Sequence, residues 1–334
     1  MKAIRLNAPG GLERLERIDL PDPGQPGHGQ IRVRLHASSL NYHDYGVVGG
    51  FRPIAYGRIP MSDGAGIVEA VGEEVSEFRP GDAVVSCFFP GWQEGPARVG
   101  DFSTVPGDGI DGYARETVVC AATAFTRAPA GFSHEQAATL TTAGLTAWRA
   151  LVGDGGLKAG DTVLTLGTGG VSLFALQIAK AMGARVISTS SSDAKLERLR
   201  ALGADETINY RTHADWGRLA REWSGGGVDH VIEVGGPGTL PQSIDAVRIG
   251  GHISLIGVLT GRTGEVPTGA LMAKQARLQG LIVGSRRQQQ EFVRAIEAIG
   301  LQPVIDSTFP LERIADAFRH EASGAHFGKI CLTI

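Results

Sequence analysis

From Asp161 to Ser285 the chain alternates two textures, and that alternation constrains the fold more than any other feature. Short, continuously apolar runs ("DTVLTLG", "RVISTS", "VDHVIEVG", "HISLIGVL", "ARLQGLIVGS") are separated by segments with helical spacing ("SLFALQIAKAMG", "DAKLERLRALG", "HADWGRLAREWSG", "TLPQSIDAVRIGG"). A strand that is apolar on every residue must be covered on both faces, and strands that alternate with helices pair in parallel. The fold class expected here is α/β, with a parallel sheet covered on both faces.

The first strand of the series runs into Gly167-Thr168-Gly169-Gly170-Val171-Ser172, and a helix follows. Gly167 permits a tight turn, and Gly169 lets backbone approach a pyrophosphate with no Cβ in the way. A helix opening near Val171 directs its free N–H groups and positive dipole end at the same point. Ser172 stands where a third glycine is usual and is small enough for close helix–strand packing. Strand, turn, helix and second strand are all present, so the turn reads as a dinucleotide site and not as a packing turn alone.

The second strand ends in Thr189-Ser190-Ser191-Ser192-Asp193-Ala194-Lys195. An NAD site carries an acid at that tip to hold both ribose hydroxyls. Hydroxyls and a lysine instead suit a 2′-phosphate, which a carboxylate would repel. NADP(H) is therefore expected in preference to NAD(H). Asp193 is expected to cap the helix that follows, away from the ribose.

The remaining sequence reads differently. The first hundred residues are short strands broken by Gly and Pro, among them "QIRVRLHASSL", "GAGIVEAVGEEV" and "PGDAVVSCFFPGW". A Gly/Pro-rich loop spans residues 88 to 112, long enough to suggest a functional segment. Ser133 is a plausible N-cap for "SHEQAATLTTAGLTAWRALV". The last fifty residues return to helix–strand–helix–strand and are expected to fold back onto the first lobe. A length of 334 residues agrees with two lobes.

Composition excludes several classes. A formal net charge of −3 leaves no basic stripe for nucleic acid. No run approaches the roughly 18 apolar residues that span a bilayer, and the polar N-terminus lacks a signal-peptide core. The three cysteines, Cys87, Cys120 and Cys331, lie far apart without metal-ligand spacing. A cytoplasmic protein with no membrane or nucleic-acid partner is the expectation.

Taken together, "LTLGTGGVSLFALQIAKAMGA", "VIEVGGPG", "GGHISLIG" and "GSR", with "AGIVEAVG" and "RPGDAVV" upstream, resemble the medium-chain dehydrogenase/reductase superfamily. The match runs in family order over essentially the whole chain. It is nearest the branch of zinc-independent alcohol dehydrogenase-like proteins and quinone oxidoreductases. The resemblance implies a GroES-like, β-rich catalytic domain from residues 1–143 and 286–334, and a Rossmann domain at 144–285. It also implies that cofactor and substrate meet between them.

Site residues follow from the same resemblance. Zinc members place a cysteine ligand where this chain has Asn41, a Gly-His-Glu segment where it has Ser62-Asp63-Gly64, and often a cysteine near Thr142. The softer ligands are missing, and a lone Asp63 cannot build a three-ligand zinc platform, so no metal is expected. Asn41 could then donate to a developing oxyanion, and Tyr42, His43 and Tyr45 are candidate proton donors. Alternatively, Asn41 and Asp44 only fix their loop through side-chain-to-backbone hydrogen bonds. The resemblance further implies that Lys195 and Tyr210 hold the 2′-phosphate beside Ser190 and Ser191. Val234, Gly235 and Gly236 would border the adenosine ribose, and Gly257 and Val258 the nicotinamide. Gly284, Ser285 and Arg286 would sit near the cofactor, Lys329 near a phosphate, and Thr142 on the cofactor. Asp63, Phe89 and Trp92 would wall the substrate pocket.

The activity expected is NADP(H)-dependent hydride transfer to or from a small carbonyl, enone or quinone, in a homodimer paired through the edge strand of "RLQGLIVG". A secondary-alcohol dehydrogenase, or a crystallin-like protein that binds NADPH without turnover, remain the alternatives.

Overall fold

The computed structural model describes residues 1–51 and 57–334. The chain divides into two compact units, Met1–Leu145 with Val283–Ile334, and Thr146–Ile282.

The second unit is built on six strands whose registered neighbours are all parallel. Their order across the sheet is Glu206–Asn209, Arg185–Ser190, Thr162–Leu166, Val228–Glu233, Val247–Leu255 and Arg277–Gly280. Numbered by sequence within the unit, that order is 3-2-1-4-5-6, the doubly wound Rossmann arrangement. Every residue of Thr162–Leu166 is buried, as continuous apolarity demanded. Leu164, Ile187, Val231 and Ile253 stack on neighbouring strands, and Ile244 and Trp216 close over them from helices Leu240–Ala246 and Trp216–Trp223. The order reverses between Thr162–Leu166 and Val228–Glu233, and ligands of such sheets bind beyond the carboxyl ends at that reversal. The glycine-rich turn leaves the sheet there.

The first unit holds a seven-stranded, mainly antiparallel sheet. Its path runs Ile305–Pro310, Lys329–Thr333, Gln30–Ser39, Ala65–Val71, Ala83–Ser86 and Phe125–Arg127, with Thr117–Ala121 paired to Gln30–Ser39 off that path. The C-terminal residues thus belong to the first unit. The last strand lies antiparallel to Gln30–Ser39 with Cys331 opposite Ser39. Carried two residues on, that register sets Lys329 across from Asn41. One core gathers Leu40, Val47, Met61, Phe318 and Ile330, and a second gathers Ile31, Val68, Tyr113 and Phe125. Residues 88 to 112 form neither helix nor strand, yet Phe88, Phe89, Trp92 and Val105 in that loop are buried.

Candidate active site

In the second unit, Leu166 ends its strand and Gly167 follows with φ +74°, a conformation that favours glycine. Gly167 N–H donates to Thr189 O at 3.0 Å, closing the turn on the neighbouring strand. Gly169 is the N-cap of the twelve-residue helix Gly170–Ala181. A Cβ built on Gly169 meets no protein atom within 4 Å, so packing does not require glycine there. The hydroxyl of Ser172, 2% exposed, donates to Leu166 O at 2.6 Å. The departure from glycine at that position therefore ties helix to strand without adding bulk.

The second strand tip is organised by hydroxyls. Ser190 is buried, and its Oγ accepts from Ser192 N–H at 3.3 Å. Ser192 caps the helix Asp193–Ala201 by accepting from Lys195 N–H at 3.4 Å. The expected cap, Asp193, is instead the first helical residue, and its carboxylate accepts from Asn209 Nδ2 at 2.7 Å. The physical reason is register: the strand ends at Ser190, so Ser192 is the residue left with extended backbone before the turn. Tyr210 follows on from the adjacent strand, donates its N–H to Ser190 O at 3.0 Å and is 43% exposed. Ser191 and Lys195 are half-buried, and Arg211, next in sequence after Tyr210, is an exposed cation.

The end of Val228–Glu233 carries a feature that sequence reasoning missed. Glu233, fully buried at the end of its strand, accepts from Gly235 N–H (2.7 Å), Gly236 N–H (2.9 Å), Thr239 Oγ (2.6 Å) and Ser243 Oγ. These four donors compensate a carboxylate with no cation beside it. They bend Val234–Gly236 into a fixed loop. A Cβ on Gly257 would lie 2.1 Å from Val234 O, so Gly257 is needed for the close passage of the two strand ends. Val258 next to it is 40% exposed. An acid closing an apolar strand before two glycines was the available signal.

In the first unit, a buried polar cluster gathers residues far apart in sequence. Asn41 N-caps the short helix Tyr42–Val48. Its Nδ2 donates to Ser39 O at 3.3 Å and to Asp44 Oδ2 at 3.1 Å, while its Oδ1 accepts from Lys329 Nζ at 2.6 Å. Both amide hydrogens are used inside the protein. The expectation of an Asn41 amide aimed at a substrate oxygen gives way to one that fixes the loop. Asp44 also accepts from Asn41 N–H, Ser62 N–H and Ser62 Oγ at 2.8–3.2 Å. Lys329, 4% exposed, donates to Leu40 O as well as to Asn41. Its ammonium is thus held within this cluster instead of being offered to a phosphate.

Asp63 is fully buried, and its Oδ1 accepts from Thr142 Oγ at 2.6 Å. Its Oδ2 has no hydrogen-bond partner of good geometry, with the Asn41 amide alongside. Burial pushes its carboxyl up to about 7, against the opposing pull of the Lys329 ammonium. Thr142 is the half-buried member of the pair. His43 Nε2 lies 3.4 Å from Asp108 Oδ2, with Phe88 and Phe102 packed on the imidazole at 5.3 and 4.8 Å. Tyr42 is 47% exposed. Phe89 and Trp92 are packed against each other at 6.2 Å. Ser285 spends its hydroxyl capping helix Arg286–Ile299 by accepting from Gln288 N–H, and Gly284 before it is buried. Arg286 is bidentate to Glu77, both contacts 2.6 Å, and donates to Phe125 O.

Comparison with known proteins bears on both units. Residues 27–130 match the alcohol dehydrogenase GroES-like domain, and residues 170–300 match the zinc-binding dehydrogenase family. A zinc-type alcohol dehydrogenase-like protein of Schizosaccharomyces pombe is 41% identical over 97% of this chain and 96% of its own length. The chain belongs to the medium-chain dehydrogenase/reductase superfamily. Within that superfamily, the human quinone oxidoreductase is 30% identical over all of this chain and 98% of its own. A solved NAD-dependent alcohol dehydrogenase superposes with TM-score 0.90 at 36% identity, covering both chains in full. The protein is thus an oxidoreductase, alcohol dehydrogenase-like and quinone oxidoreductase-like, of a superfamily that works with nicotinamide cofactors.

The residues present fit such a cofactor. An open space over Gly169, a helix N-terminus behind it and a rigid Val234–Gly236 loop together form a cradle that side-chain packing does not explain. They do not fit zinc. At the positions that zinc members use for ligands stand an amide with both hydrogens committed, a hydroxyl donating to Asp44, and Asp63 bound to Thr142, with a lysine ammonium among them. Hydroxyls and amides are poor zinc ligands, and a fixed ammonium repels a dication. Among the described residues no group of three His, Cys, Asp or Glu is placed to hold a metal ion.

Proposed function

We propose that this oxidoreductase works without zinc, prefers NADP(H) to NAD(H), and transfers hydride between the nicotinamide and a small carbonyl, enone or quinone. The observation that carries the cofactor preference is the strand tip. Ser190, Ser191, Lys195 and Tyr210 stand together there, and the nearest acid, Asp193, is turned to Asn209. In this reading Gly167–Val171 take the pyrophosphate, Lys195 and Tyr210 the 2′-phosphate, and Val234, Gly235, Gly257 and Val258 the ribose and nicotinamide sides. Thr142, Gly284 and Ser285 are the further residues this reading assigns to the cofactor.

When bound, the nicotinamide supplies the hydride chemistry. The protein's own contribution is orientation, exclusion of water and proton supply. Enones and quinones suit a site without a Lewis acid, because hydride addition leaves a delocalised enolate or hydroquinone anion. The aromatic group Phe88, Phe89, Trp92 and Phe102 would give such a substrate an apolar wall. His43, paired with Asp108, is placed to hold a proton in that wall. The strand Arg277–Gly280 is an edge of its sheet, which suits pairing with a second copy in a homodimer. A cytoplasmic location agrees with three free cysteines.

Steady-state kinetics with both cofactors at fixed ionic strength test this reading. A charge-assisted hydrogen bond contributes about 1.5–3 kcal/mol, or roughly tenfold to a hundredfold in affinity. Lys195→Ala should weaken NADPH by that factor and leave NADH nearly unchanged. Equal losses for both cofactors would mean that Lys195 only supports its loop.

A further inference from the structure

The buried cluster of the first unit holds more acid than its cation can balance. Asp63 and Glu321 both lie within electrostatic reach of Lys329, and Asp44 within reach of both acids, so three carboxyls gather around one ammonium. Asp44 takes four hydrogen bonds from Asn41 and Ser62. Asp63 takes a single hydrogen bond, from Thr142. Burial penalises its charge, and its Oδ2 lacks a well-aligned donor among the described residues, so the form of Asp63 favoured in this cluster is the neutral acid. Tyr113 and Cys331, the other titratable groups near it, are buried and carry no charge at neutral pH.

We propose that Asp63 and Thr142 form a proton-delivery pair, with Asp63 as the proton store and the Thr142 hydroxyl as the group that meets the substrate oxygen. The proposal rests on the carbonyl, enone or quinone reading above. Hydride addition to the substrate carbon moves the C=O π electrons onto oxygen. The Thr142 hydroxyl, which donates to Asp63 Oδ1 in the free protein, turns to that oxygen and gives up its proton, while the protonated Asp63 donates across the same contact and its proton passes to Thr142 Oγ. Asp63 is left as a carboxylate, stabilised at that moment by the Lys329 ammonium, and recovers a proton from solvent. The reducing equivalent is the hydride of the superfamily's own reaction. The geometry favours this order of transfer. Thr142 Oγ sits 2.6 Å from Asp63 Oδ1, and Thr142 is half-buried where Asp63 is fully buried. Lys329 takes no proton in the sequence: its contacts to Leu40 and Asn41 fix it as a charge. Positions that zinc relatives give to metal ligands would thus be rebuilt as an acid and its relay. A neutral carboxylic acid held in an apolar site is a known way to serve a developing oxyanion.

Infrared difference spectra of the cofactor-free protein across pH test the store directly. The carbonyl stretch of a protonated carboxyl should be present at pH 6, fade with a midpoint near 7 and be missing in Asp63→Asn. Glu321→Gln separates the band of the second raised acid. In turnover, kcat for reduction should fall above that midpoint in the parent. Thr142→Val should lower kcat about a hundredfold or more, the usual share of positioned proton transfer, and Thr142→Ser should recover most of it. A band unchanged in Asp63→Asn, or an unaltered pH limb in that variant, overturns the pair. If Asp63→Asn does not fold, the parent's infrared titration with the Thr142→Val and Thr142→Ser rates decides. A parent that reduces none of the three substrate classes overturns the underlying reading instead, while the infrared result still reports on Asp63.

Discussion

Glu233 offers the sharpest test of how the cofactor cradle is held. Its Oε1 accepts from two backbone N–H groups and the Thr239 hydroxyl, and its Oε2 from Ser243. Glu233→Ala leaves the amides of Gly235 and Gly236 buried without an acceptor, whereas both hydroxyls can turn elsewhere. Thr239 already has Gly236 O at 3.2 Å. Each stranded amide costs about 1–3 kcal/mol, so with the lost packing the variant should be destabilised by about 4 kcal/mol or more. Glu233→Gln keeps a neutral acceptor at Oε1 and turns an amide towards Ser243, which can accept. Its three remaining bonds lose their charge, at about 1 kcal/mol each, but the desolvation of a buried charge disappears as well. A net loss of about 1–2 kcal/mol follows. Urea unfolding followed by tryptophan fluorescence suits the measurement, because Trp148, Trp216 and Trp223, three of the four tryptophans, lie in this unit. Glu233→Ala within about 1 kcal/mol of the parent, or less harmful than Glu233→Gln, would refute the argument.

Two further outcomes follow. Gly169→Val should fold normally, since its Cβ meets no protein atom, yet lose cofactor binding by at least about a hundredfold; tight binding in a fluorescence titration would remove the turn as the phosphate cradle. Asp63→Asn should alter the pH dependence of stability. With its carboxyl raised from 3.8 to about 7, the parent is unaffected below about pH 4 and loses stability as pH rises through 7, by at most about 4 kcal/mol. The variant's advantage in unfolding free energy should grow over that window, and a difference independent of pH would contradict the assignment.

Much of this was legible before any coordinates, and the reason is locality. The parallel sheet follows from largely apolar strands that alternate with helical segments, and the turn from glycines directly after one of them. The strand ends and the single helix that follow lie within thirty residues. The C-terminal return was legible as a pattern, though its consequence was not. Lys329 reads as a lone cation in "HFGKI", and only the pairing of Cys331 with Ser39 brings it to Asn41. That contact, between residues 288 apart, occupies Asn41 Oδ1 and so orients the amide whose hydrogens go to Ser39 and Asp44. His43 likewise meets Asp108 across the long loop. The cap at Ser192 was missed for a local reason: in a run of three serines and an aspartate, every residue can cap, and one residue of register decides.

The central claim is NADP(H)-linked turnover without a metal. Its most direct measurement is cofactor oxidation by chelator-treated protein, with NADPH and NADH side by side against quinones, enones and ketones. The account predicts oxidation with at least one of these classes, a kcat/KM for NADPH at least about tenfold above NADH, and no change on adding zinc. Activity that vanishes with the chelator and returns with stoichiometric zinc, or a preference for NADH, would contradict it.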